Sequence, residues 1–295
     1  MDVGYVVENM PGPNVKLAVA GQQISAGGPV TNAAVTFAFL GGEGTLVTAV
    51  GRHPLGEVIR QDVGSFPLVI HDLAAERAEA PPVSCILVVR STGERTVVSP
   101  RANAFPALAG ELRPEWFDGV SILLVDGHYR ALCVAAARMA RGRGIPVVLD
   151  SGSWKPGMDE LLPQVDVAIC SDTFRPPGCV DDEATLTDLR RRGVGRSAIT
   201  RGAGSILYCD GDERGEIAVP SMQAMDTLGA GDIFHGAFCY AACRSGVNFR
   251  EALAFAARVA TFSCGYPGTR QWMREYGDAE RAGKKSGRRR TDGPA

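Results

Sequence analysis

Between Ser121 and Thr200 the chain alternates short apolar runs with segments of helical pattern, and this alternation limits the possible folds more than any other feature. Ser121-Ile122-Leu123-Leu124-Val125-Asp126, Ile145-Pro146-Val147-Val148-Leu149-Asp150, Val165-Asp166-Val167-Ala168-Ile169-Cys170 and Ser197-Ala198-Ile199-Thr200 have strand length and little or no polar alternation. Residues 131–143, rich in alanine and basic at their end before Gly144, read as a helix, as do 158–162 and 185–192. Strands apolar on both sides need cover on both sides, and strands spaced by helices run parallel. The expected class is therefore α/β, with three layers and a mostly parallel central sheet. Residues 82–90 and 95–99 break the rhythm. They are two strand-like runs joined by Ser91-Thr92-Gly93-Glu94, a hairpin with a glycine turn that predicts a small β lid or an edge addition.

Composition narrows the function. The 295 residues are 45% apolar and 22% charged, which excludes a disordered chain, a coiled coil or a collagen-like repeat. Lys and Arg number 31 against 33 Asp and Glu, so no global field draws in nucleic acid or an anionic membrane. No uncharged apolar run reaches the ~18 residues of a membrane span, and the first residues lack a signal-peptide layout. The eight cysteines form no CxxC pair, which predicts reduced, mostly buried thiols in a cytoplasmic protein. Cys239 and Cys243, one helical turn apart, suit core packing better than metal binding. Residues 277–295, with Lys284-Lys285 and Arg288-Arg289-Arg290, read as a solvated, disordered tail rather than a nucleic-acid arm.

The chemistry concentrates in Asp226-Thr227-Leu228-Gly229-Ala230-Gly231-Asp232, which leads into a helix with Ile233, Phe234, Ala237, Phe238 and Ala241 on one face. Small residues opening a helix let backbone N–H groups approach an anion, and the helix start favours negative charge. Asp232 stands in the first turn beside that anion hole. Two roles fit it: offsetting the helix dipole, or taking the proton from a hydroxyl that attacks phosphorus. No Walker-A pattern and no GxGxxG after a strand occurs.

Asp-Thr-x-Gly-Ala-Gly-Asp is the signature of the ribokinase-like (PfkB) carbohydrate kinases, and the chain resembles that family from about Asp2 to Gly268. The resemblance implies a ribokinase-like fold, with Asp232 as catalytic base and with Gly229, Ala230 and Gly231 forming the anion hole. It also implies that Asp226 and Thr227 shape the turn, with Thr227 on the nucleotide side and Asp226 near a monovalent cation such as K+. Gly27-Gly28-Pro29-Val30-Thr31-Asn32 is similar to the family's N-terminal signature, which implies that Gly27, Gly28 and Asn32 contact sugar hydroxyls. Thr200, Gly202 and Gly204 resemble the segment lining the nucleotide site. ATP and Mg2+ are the implied cofactors, with a sugar as the acceptor and no nucleic acid or membrane as a partner.

Departures from the family pattern are informative. His53 stands in Gly51-Arg52-His53-Pro54-Leu55-Gly56 where Asp is usual. Ser171-Asp172-Thr173-Phe174 replaces the Asn-x-x-Glu that organises magnesium-bound water, leaving Asp172 as a partial substitute. Asp2 takes the position of a sugar-binding Asp that a buried strand normally precedes, so a first strand is expected to be missing before Met1. Residues 265–270 and the His-Gly after Asp232 resemble the ketohexokinase and sulfoquinovose kinase branches. Lys16 is placed either to meet an anionic substituent or to lie solvated on the surface, and Arg90 and Arg101 are weaker candidates.

The expected organisation is one kinase domain over 1–276, with lid elements near 14–26 and 82–99. The expected activity is transfer of the γ-phosphoryl group of ATP to a primary sugar hydroxyl. A nucleoside kinase of the same fold and a catalytically impaired sugar-binding or regulatory homologue are the alternatives. An exposed hairpin edge needs covering, which makes a homodimer through the lid the expected assembly.

Overall fold

The computed structural model describes residues 1–19, 21–100 and 112–277. The basic tail and Arg101 lie outside them. The apolar runs become a six-stranded sheet of order β12-β11-β10-β9-β8-β7. Its strands are β7 (Leu123–Val125), β8 (Val147–Ser151), β9 (Val167–Ser171), β10 (Arg196–Arg201), β11 (Gly204–Asp210) and β12 (Glu213–Ile217). β7 to β10 pair in parallel, and β11 and β12 add an antiparallel edge.

Both faces are covered, and alternate residues show how. Val148, Val167 and Ile169 enter one core with α1 (Pro29–Phe39), α6 (Ala230–Ala242) and α7 (Phe249–Ser263). Val147, Leu149, Ala168 and Cys170 enter the opposite core with α3 (Arg130–Arg141) and α4 (Met158–Leu161). α5 (Asp182–Arg191) joins that second face through Leu189. Two-sided burial is the physical reason these strands carry no polar alternation.

The lid is a second, four-stranded sheet of order β2-β1-β5-β6. It contains β1 (Asp2–Val7), β2 (Gln23–Ser25), β5 (Ser84–Val89) and β6 (Arg95–Val98). The two hairpin strands pair antiparallel from Cys85↔Val98 to Val88↔Arg95, and β1 runs parallel to β5 with Asp2 opposite Ser84. At the hairpin tip Gly93 has φ +69°, a conformation that favours glycine. A Cβ there would come 3.4 Å from the carbonyls of Ala224 and Met225, so the tip rests on the segment that leads into the Asp226 turn.

β3 (Gly44–Thr48) and β4 (Leu68–Asp72) form a separate parallel pair, joined through α2 (Pro54–Val63). β3 pairs only with β4 and β7 only with β8 among the described residues. Leu46, Val47 and Thr48 on one side and Leu123, Leu124 and Val125 on the other line one cavity of about 1240 Å³. The central sheet is thus split by an apolar slot, with Met1 and Asp2 also among the residues that line the cavity.

Two sequence expectations change. Four of the eight cysteines are buried (Cys133, Cys170, Cys209, Cys239), whereas Cys85 and Cys243 are exposed, the latter because it caps the end of α6. α6 is also not half-polar. His235, Gly236 and Cys239 are buried along with the predicted face, because α1, α7 and the sheet surround it. His53, at the position of the family's Asp, accepts the Leu55 N–H through Nδ1 at 3.2 Å and so caps α2.

Candidate active site

The site is built where α1 crosses α6. A Cβ on Gly236 would lie 2.2 Å from the Ala33 carbonyl oxygen, so only glycine lets the two helices approach this closely. Ala33 follows Asn32, and Gly236 lies one turn after Asp232. The contact therefore carries Asn32 to Asp232, and Asn32 Nδ2 donates to Asp232 Oδ2 at 2.8 Å.

The turn before α6 is fixed by Asp226, whose carboxylate is buried. Its Oδ1 accepts the Leu228 N–H at 2.8 Å and its Oδ2 the Gly268 N–H at 2.7 Å. Gly229 caps the helix at φ +68°, and a Cβ on it would meet Thr269 Cγ2 at 2.6 Å. Among the described residues no acceptor takes the N–H groups of Gly229, Gly231 or Asp232. Ala230 differs from expectation: its N–H is drawn back to the Thr227 carbonyl at 3.3 Å, closing the turn. The free donors are therefore those on either side of it. Gly231 is exposed and Asp232 half-buried, so the turn opens to solvent on the carboxylate's side.

Electrostatics raise the proton affinity of Asp232. Enclosure by protein raises its carboxyl well above the usual carboxylate range, and the nearby Asp150 charge pushes the same way. The Asn32 hydrogen bond and His235 oppose both. Asp150, at the end of β8, is itself raised by burial and lies 3.3 Å from His235 Nδ1 without a directed hydrogen bond to its Oδ2. His235 in turn sits 2.7 Å from the Gly231 carbonyl and 3.1 Å from that of Ile169, tying the first turn of α6 to β9.

The other predicted residues divide into groups. Asp2 lies against the Gly27 backbone, where a Cβ would meet its carboxyl at 2.3 Å. Burial raises the Asp2 carboxyl, opposed by the N-terminal ammonium, Ser84 and Arg270. Gly28, at φ +101°, caps α1 and leads directly to Asn32. Asp2, Gly27, Gly28, Asn32 and Asp232 thus form one region at the start of the lid strand β1. Thr227 Oγ1 accepts a hydrogen bond from Arg95 of the lid hairpin. Thr200, Gly202 and Gly204 lie at the β10–β11 turn, where the Asp172 N–H donates to the Thr200 carbonyl at 3.0 Å. Lys16 is exposed and stands apart from the cavity lining, and Arg90 pairs with Glu8 on the surface at 2.7 Å. The large cavity includes Asp2, Gly27 and Gly28 in its lining, and Asp232 and the Gly229–Gly231 turn stand outside that lining.

Sequence reading missed Arg270 and Arg95. Arg270 Nη1 donates to Asn32 Oδ1 at 3.0 Å, and its Nη2 pairs with Asp62 Oδ2 at 3.0 Å. The segment 265–270 drew notice only through its resemblance to two kinase branches, which gave Arg270 no role of its own.

A carboxylate set beside unpaired amides at a helix start, between an α/β body and a β lid, is the equipment of a phosphotransferase acting on an alcohol group. The comparisons agree. The chain belongs to the pfkB family of carbohydrate kinases, whose family model matches residues 1–275. It is 24% identical over 275 residues to a ribokinase of Arabidopsis thaliana, covering 88% of this chain and 72% of that one. It is 28% identical over 262 residues to the aminoimidazole riboside kinase of Salmonella typhimurium, covering 81% and 80%. Its fold is similar to Arabidopsis thaliana ribokinase complexed with ribose and ATP, with a TM-score of 0.76, 22% identity and 90% of each chain covered. It is also similar to the adenosine kinase of Sinorhizobium meliloti, with a TM-score of 0.75, 20% identity and 88% and 85% covered. No helix among the described residues is long and apolar enough to cross a membrane.

Proposed function

We propose that this chain transfers the γ-phosphoryl group of ATP to a primary hydroxyl of a sugar or sugar derivative. The observation that carries the reading is the half-buried Asp232 carboxyl next to the unaccepted N–H groups of Gly229 and Gly231. The acceptor lies among Asp2, Gly27, Gly28 and Asn32, with the lid above it. The nucleotide lies along the β10–β11 turn at Thr200, Gly202 and Gly204, with Thr227 near its phosphates. Asp232 takes the proton as the hydroxyl oxygen attacks phosphorus, and the free amides meet the charge on the transferring group.

Among the described residues no group of three or more His, Cys, Asp or Glu side chains could cage an ion. A magnesium ion in this reading arrives on the triphosphate and keeps several waters, with exposed Asp172 as the protein group nearest in kind. When bound, the ion neutralises charge on the phosphate oxygens. A monovalent cation such as K+ belongs near Asp226, whose oxygens each have a lone pair beyond the N–H they accept. The lid edge β6 is exposed along its length, with Val97 and Val98 outward, which supports a lid-to-lid homodimer. A chain of this kind works in the cytoplasm, where ATP and reduced thiols coexist.

The test is an ATP-consumption screen against D-ribose, D-fructose, sulfonated sugars and adenosine. Turnover with a sugar that falls by about 10²-fold or more in Asp232→Asn supports the reading. Near-wild-type turnover in that variant removes Asp232 from the role, and turnover with adenosine alone moves the chain to the nucleoside kinases.

A further inference from the structure

Arg270 is the second of four side chains in a row that runs from Asp62 through Asn32 and ends on the proposed base. Asp62, on α2, accepts from Arg270 Nη2 at 3.0 Å and from the Ala26 N–H at 2.8 Å. Arg270 Nη2 also donates to the Ala26 carbonyl at 3.1 Å, and Nη1 donates to Thr269 Oγ1 at 2.9 Å and to Asn32 Oδ1 at 3.0 Å. Asn32 then donates through Nδ2 to Asp232 Oδ2 at 2.8 Å. Asn32 is buried and the Arg270 side chain is 18% exposed, so little solvent competes for these bonds.

The amide of asparagine has an acceptor end and a donor end. Turned one way, it gives Asp232 a hydrogen bond. Turned the other, it sets a carbonyl oxygen against a carboxylate. Guanidinium has donors and no acceptor, so only the carbonyl end of Asn32 can face Arg270. The arginine thereby decides which end faces the base. Asp62 pairs with the arginine's other terminal nitrogen, and the Ala26 carbonyl links that nitrogen to the Gly27-Gly28 backbone beside Asp2.

We propose that Arg270 is a positioning residue for phosphoryl transfer: it locks the Asn32 amide with its NH2 group on Asp232, so that Asp232 presents an ionised oxygen to the substrate alcohol. The inference deepens the reading of Asp232 as general base and rests on it. The groups facing Asp232 are Asp150 from β8, His235 from its own helix, Asp2 from β1 and Asn32 from α1. Two of these are carboxyls that disfavour a second negative charge. The Asn32 bond opposes them, and Arg270 keeps that bond in place.

The experiment is a carboxyl-carbon NMR titration of the full chain without ligands, with the Asp232 signal identified by its loss in Asp232→Asn. Arg270→Met is expected to move the Asp232 titration to higher pH by on the order of one unit, the loss of one charge-directed hydrogen bond. Arg270→Lys, which still offers a donor to Asn32 Oδ1, is expected to restore most of the wild-type midpoint. Asp62→Asn frees the arginine's other end and is expected to move the midpoint little. Equal shifts in Arg270→Met and Asp62→Asn mean that the arginine only stitches the loops together, and they overturn the proposal, as does an unmoved midpoint in Arg270→Met. The wild type supplies a readout that needs no folded variant. Its Asn32 side-chain NH2 resonances are expected to follow the Asp232 titration, and indifference to it refutes the clamp. Turnover separates the two readings. Where a sugar is phosphorylated, the acid limb of kcat shifts with the NMR midpoint in Arg270→Met. If Asp232→Asn retains full turnover, the base reading fails while the titration still decides the clamp.

Discussion

Asp232 carries a conflict between function and stability that can be measured. Its carboxyl is raised in the folded state by burial and by Asp150, while an unfolded chain leaves it near the ordinary value of about 4. The folded protein therefore holds a proton that the unfolded chain has lost, and stability falls as pH rises from the ordinary value through the raised one. Asp232→Asn removes that penalty and can still accept from Asn32 Nδ2 through its own carbonyl. Thermal unfolding is expected to show the variant more stable than wild type at pH 8, with the advantage shrinking toward pH 4. A variant no more stable at pH 8 would mean that the carboxylate is well compensated in the fold. Turnover runs the other way, rising with pH as the base ionises, so the acid limb of kcat belongs above the usual carboxylate range.

At the scale of elements, the contact of α1 with α6 does more for the site than any loop. It depends on Gly236, since an added Cβ meets the backbone carbonyl of Ala33 rather than a side chain that could swing away. Gly236→Ala is expected to force the helices apart, at a cost of about 1–3 kcal/mol in urea unfolding. The same movement stretches the bond between Asn32 and Asp232, so kcat is expected to fall more than KM rises. Wild-type stability and turnover in this variant would show that the helices can slide to absorb the methyl. The second half of the site, the Asp226 turn, is held differently: Asp226 binds two backbone N–H groups and the lid hairpin leans on the segment before it. The lid hairpin and the turn are therefore joined through Gly93 and Arg95.

The whole molecule has two facing strand edges with an apolar slot between them. β3 and β7 each lack a partner on that side among the described residues, and the cavity between them is large enough for a strand. The Met1 ammonium sits at this cavity and donates to the Pro82 carbonyl at 2.9 Å, while burial lowers its proton affinity. A peptide bond in its place keeps a donor for Pro82 and removes the buried charge. Fusing about five apolar residues and a short linker ahead of Met1 is expected to fill the slot as a parallel strand and join β3 to β7. The expected readout is a higher melting temperature, about 2–4 °C for each kcal/mol gained, together with slower hydrogen exchange at residues 45–48 and 123–125. No change in either would show that the slot closes without a strand.

Much of the fold was legible because burial on both faces leaves a signature in the chain itself. The unbroken runs at 147–149 and 167–170 exist because alternate side chains serve two cores. The turn at Gly229 was legible too, since its small residues are dictated by local backbone geometry. The hydrogen bonds that join Asn32, Asp232 and Arg270 were not. The residues are 200 and 238 positions apart from one another along the bonds that join them, and no local pattern encodes such pairs. Nor did the sequence show that Ala230 spends its N–H inside the turn, that His53 caps a helix, or that Lys16 stands in solvent. By itself the sequence determined the layered architecture and the glycine-rich turn that opens a helix at Asp232, because periodicity and turn chemistry act over a few residues. Only the tertiary structure decided which amides stay free, which end of Asn32 meets the acid and where the sheet is open, because those outcomes depend on packing between distant segments.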